Sequence, residues 1–135
     1  MDYPNLRVAS YVFMLTLFIW ALVWMVVSVR KIKDGAPNKL YWQTHLAWSI
    51  VNVGIAIYSV ITLLRLRTYT YERAVDMKNI VAINILLDIG YIAVALLLLR
   101  SKNLKLHLVA RALVVQALFL IVLDSVIVLY FLSVL

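Results

Sequence analysis

The chain has no cysteine, only three glycines and two prolines, and six acidic residues in 135. Without cysteine there are no disulfides, no thiolate metal sites and no cysteine nucleophile. Charge is scarce as well. Charged residues make up 14% of the chain and hydrophobic ones 66%, with a mean hydropathy of +1.01. Soluble domains run at roughly a quarter charged and half apolar, so the composition is that of a membrane protein. The length allows one small domain, residues 1–135.

Basic residues outnumber acidic ones, for a net charge of +7. They lie between the apolar stretches instead of forming one patch interleaved with aromatics. That distribution fits headgroup anchoring and topology, and no nucleic-acid partner is expected. The segment before the first apolar run is not strongly basic, and the run is longer than the hydrophobic core of a cleavable leader. It is expected to stay in place as a helix.

Four runs are long enough to span a bilayer, at about 8–29, 41–64, 79–99 and 112–135. The first, 22 residues without a charge, makes about 33 Å of helix. It closes at Arg30, Lys31 and Lys33, and residues 34–38 read as a turn. Residues 68–78 read as a polar connection, with room for a short interfacial helix. Nothing breaks the pattern after Leu104, so the fourth helix is expected to begin near there. Three short links between four spans predict an all-α, up-down-up-down antiparallel four-helix bundle in the membrane. Links one and three carry eight Lys/Arg, against five on the other side. The excess predicts that links one and three face the cytoplasm and both termini the outside.

Polar residues are placed regularly inside the runs. On the second span His45, Ser49, Asn52, Ala56 and Ser59 fall on one stripe, and on the third Asn84, Asp88, Tyr91 and Ala95 do the same. Stripes of polar and small residues mark interior faces in membrane bundles. Ile50, Ile57, Ile61, Ile85, Ile89, Ile92 and Leu96 lie opposite, toward lipid or neighbouring helices. Antiparallel packing brings Asn52, Asp88 and Asp124 to one depth. His45 and Gln116 then lie about 10 Å toward the cytoplasmic side, and Asn84 about 6 Å the other way. Gln116 and Asp124 differ by about 80° around their helix.

An acid at a helix centre costs roughly 2.5–3.5 kcal/mol on the insertion scale, against a gain of about 0.3–0.6 for each Leu or Ile. Each aspartate therefore offsets several apolar residues, and no Lys or Arg lies at its depth. At least one of the two is expected to carry a proton at neutral pH, because desolvation and a facing like charge both disfavour the anion.

Three readings follow. In the first, the polar layer lines a hydrated cavity, reached past His45, that binds or conducts a small molecule, proton or cation; Asp88, Asp124, Asn52, Asn84, His45, Gln116, Tyr91 and Trp48 are the candidate residues. Four spans leave little interior room, so conduction would use a homodimer. In the second, the layer only locks the helices together and holds a structural or interaction protein in shape. In the third, Asp88 or Asp124 is the general base of an enzyme acting on a lipid or quinone. His45 could shuttle protons, but its one companion, His107, lies on a link, and no metal-ligand spacing is present; neither metal nor cofactor is expected. Ser10, Ser28, Ser101 and Ser125 lack a base at useful spacing for a nucleophile. Tyr41, Trp42 and Trp24 read mainly as interface aromatics, whereas Trp20 and Trp48 lie deeper, in the core or along a cavity.

Three local patterns occur together: Trp48, Val51, Asn52, Ile55 and Ala56; Asn84, Leu87, Asp88 and Tyr91; and Gln116, Phe119, Leu120 and Asp124. With Trp20-Ala21-Leu22 they resemble an uncharacterised family of small bacterial four-helix membrane proteins, a domain of unknown function. The resemblance covers nearly the whole chain. It implies the four-helix fold and marks these polar residues as a signature, but it implies no activity.

Overall fold

The computed structural model describes residues 2–135, which form four helices: α1 (Pro4–Lys33), α2 (Lys39–Leu64), α3 (Tyr71–Leu99) and α4 (Leu104–Val134). All four are long and apolar enough to cross a membrane. The links are too short for anything but reversal of direction, so the helices run up-down-up-down.

Local chemistry sets where each helix starts and stops. Pro4 occupies the first turn of α1, where its missing N–H costs nothing. At the other end the N–H groups of Gly35 and Ala36 bond to the carbonyls of Ile32 and Lys31, at 3.2 and 3.1 Å. This 5→2 and 6→1 pair needs a left-handed residue, which Gly35 supplies with φ +72°. Arg30, Lys31 and Lys33 lie in the same last turn, favourably placed for the helix dipole. The C-terminus of α2 is capped from outside: the Arg7 guanidinium donates to the carbonyls of Leu63 and Arg67, each at 3.2 Å, and to that of Leu66.

α3 begins two turns before the apolar run. Thr70 caps it by accepting from Arg73 N at 3.3 Å, and Glu72 sits in the first turn. Most of the expected polar connection is thus continuous with the transmembrane helix, and no separate interfacial helix forms. α4 starts at Leu104, capped by Asn103 Oδ1 accepting from Lys105 N at 3.0 Å.

Packing is uneven. α1 lies along α2, and α3 lies along α4; the two hairpins join chiefly where α4 meets α2 and, less extensively, α1. The backbones of α2 and α3 barely touch. The apolar core, with Leu6, Phe13, Leu63, Val81, Ile127 and Phe131, fills the half of the bundle nearest link two. Ile50, Ile57, Ile61, Ile89 and Leu96 are exposed on the outer surface, while Ile85 and Ile92 are half-buried.

Candidate functional site

The open α2–α3 seam leaves a cleft of about 550 Å³, floored by α1 and α4. Its polar lining includes Asn52, Asn84, Asp88, Tyr91 and Asp124, together with Trp48. Asn52, Asp88 and Asp124 are each at least 96% buried by fractional exposures of 3%, 4% and 4%. Exposed apolar residues on both rims, Val51 and Ile55 on α2, Ile80 and Leu87 on α3, show that the seam faces the bilayer. Toward link two the lining continues through Thr62, Tyr69, Arg73 and Asp76. Toward link one the rings of Trp48 and Tyr91 meet edge to face, 5.0 Å between centroids, and bridge α2 to α3.

Asp88 on α3 and Asp124 on α4 are buried neighbours in the cleft wall. Two buried carboxylates side by side repel each other, which favours a proton on at least one of them. Asp88 Oδ2 and Asn52 Nδ2 are both buried without a hydrogen-bond partner. A buried donor left unpaired costs about 1–3 kcal/mol, and such groups in native proteins usually meet water or a ligand.

His45 and Gln116 belong to a different cluster. Gln116 Oε1 accepts from Trp20 Nε1 at 3.0 Å, and Gln116 Nε2 lies 2.7 Å from His45 Nδ1. Indole N–H is only a donor, so the amide orientation is fixed and its NH₂ must donate to Nδ1. The ring proton of His45 therefore sits on Nε2, which is buried without a partner. Trp24 stacks on the imidazole at 3.9 Å, and Tyr41 meets it edge-on at 4.5 Å. Trp20 in turn stacks on Phe119 at 3.8 Å. These aromatics pack inward around His45 because the imidazole offers them a flat partner that lipid does not. His45 is 0% exposed and is not among the residues that line this cleft.

Several lining residues escaped sequence reasoning. Ser10, Tyr69, Arg73 and Asp76 reach the cleft from α1, link two and the first turns of α3. Tyr69 is held there by contacts remote in sequence: its O–H pairs with Ser10 Oγ at 3.1 Å and its N–H donates to Asp2 Oδ1 at 2.7 Å. No spacing rule signals these. Trp20 and Trp24, one turn apart on α1, were the available sign of an aromatic cluster at the depth of His45.

Fold and cleft together define an all-α membrane protein with an acid pair and an unpaired amide in the wall of a laterally open cavity. The chain matches the family of unknown function DUF6992 over residues 16–125, and belongs to it. The match takes in every polar residue of the layer. No curated protein and no solved structure matches the chain.

Proposed function

We propose that the protein is a membrane ligand-binding protein whose cleft takes a small amphipathic molecule entering sideways between α2 and α3. The observation that carries this reading is the unpaired Asn52 Nδ2 in the wall of a cavity of about 550 Å³ that Asp88 and Asp124 also line. That volume falls within the range of small-molecule sites, roughly 300–1,000 Å³. A layer serving only to lock helices would close its hydrogen bonds. The Trp20–Gln116–His45 set comes nearer to that description, with two of its bonds closed at 3.0 and 2.7 Å. The locking reading is thus kept for that cluster, and the ligand reading for the cleft. The basic excess on links one and three supports their placement in the cytoplasm of a bacterial cell, with the link-two end of the cleft on the outer side.

Native mass spectrometry tests the reading. The wild-type protein released gently from micelles is expected to carry a small-molecule adduct, lost in Asn52→Leu. A bare chain in every preparation, with no binding by any amphiphile added back, overturns it.

A further inference from the structure

We infer that the cleft selects a monovalent organic cation, an apolar-bodied ammonium that also carries an oxygen acceptor. The inference rests on the ligand-binding reading above and specifies its chemistry. The Asp88 and Asp124 carboxyls share one buried wall of the cleft, with Asp88 Oδ2 lacking a hydrogen-bond partner. A pair that keeps one proton carries a single negative charge. Among the described residues, no lysine or arginine lines the cleft at that depth to neutralise it. Among the lining residues Arg73 is the one cation, and it lies on α3 fifteen residues from Asp88, about 22 Å along the helix. Asp76, next to Arg73, offsets it at the mouth. α1 and α4 add no cation to the lining, and α2 contributes no ionisable group there besides the Tyr58 phenol. A buried net charge is expensive until something pairs with it, and a ligand with one positive charge does so one for one.

Two further features of the wall fit the same molecule. Trp48 and Tyr91 line the same cleft, Tyr91 three residues along α3 from Asp88, and aromatic faces attract ammonium groups. Asn52 Nδ2 is a donor lacking an acceptor, which an ether, carbonyl or hydroxyl oxygen on the ligand would supply. Phe13, Met14, Leu63 and Val81 provide the apolar surface for the rest of the molecule.

Binding is measured with the full chain in nanodiscs, against protein-free nanodiscs, using 4-phenoxybutylammonium and its neutral isostere 4-phenoxybutanol. The ammonium is expected to bind at least about tenfold tighter than the alcohol, as a charge-assisted bond replaces a neutral one. Asp88→Asn is expected to abolish that preference while leaving alcohol binding in place. The wild-type comparison stands without the variant, should the variant fail to fold. Equal or tighter binding of the alcohol overturns the cation inference but keeps the ligand reading. Binding of neither probe overturns the cation inference as well, and the adduct experiment then decides the ligand reading.

Discussion

Gln116 and Asp124 lie eight residues apart on α4 and face different helix hairpins. Gln116 reaches Trp20 and His45 on the α1–α2 hairpin, whereas Asp124 meets Asp88 on α3. The angular offset of about 80° between them is what allows one helix to tie both hairpins. α4 is therefore the spine of the fold, and substitutions on it are expected to affect two separate clusters.

Gln116→Leu strands the Trp20 N–H and His45 Nδ1 together. Each unpaired group costs about 1–3 kcal/mol, so a loss of roughly 2–6 kcal/mol is expected in reversible denaturation from mixed micelles. Trp20→Phe removes one bond and leaves the amide–imidazole pair, and should cost less than Gln116→Leu. Equal costs would show that the amide orientation argued above is wrong.

Asp124→Asn keeps the side-chain shape and supplies an N–H in place of a carboxyl proton. Stability is expected to change by no more than about 1 kcal/mol, the scale of interhelical hydrogen bonds in membranes. Asp124→Leu leaves Asp88 facing an apolar group and is expected to be clearly worse. Thermal unfolding in one detergent compares the two directly.

Arg7→Ala removes the guanidinium that caps the end of α2 at Leu63, Leu66 and Arg67. A loss of about 1–2 kcal/mol is expected, concentrated in that turn. Hydrogen exchange should quicken over residues 61–69 and stay unchanged in the middle of α2.

Tyr69 gives the protein an alkaline dependence. Burial pushes its phenol above 10.0, with the Ser10 hydrogen bond and the charge of Arg73 opposing the shift. A phenol whose pKa is raised by folding stabilises the native state below its unfolded value, and that contribution is lost as pH rises through the folded value. Stability is therefore expected to fall above about pH 10, more steeply in the wild type than in Tyr69→Phe. Parallel curves for the two proteins would contradict this.

Hydropathy made the fold legible because four apolar runs without internal bases can satisfy their backbones in lipid only as helices. It locates the membrane and not the helix ends, and so α3 starts at Tyr71, where Thr70 caps it, instead of near Asn79. Periodicity found the buried stripe of His45, Ser49, Asn52 and Ala56 on α2. It could not separate His45 from Asn52, because the division depends on which neighbour each meets. On α3 the stripe placed Asp88 and Ala95 in the interior, but Asn84, though it lines the cleft, remains exposed. Spacing within one helix carries no information on which two helices leave a gap.

That gap makes the surrounding lipid one wall of the cleft. Chain length and unsaturation of the host bilayer would then enter the affinity of the proposed ligand, since acyl chains would compete for the space between Val51, Ile55, Ile80 and Leu87. For a ligand held as proposed, a dissociation constant would be a property of protein and membrane together.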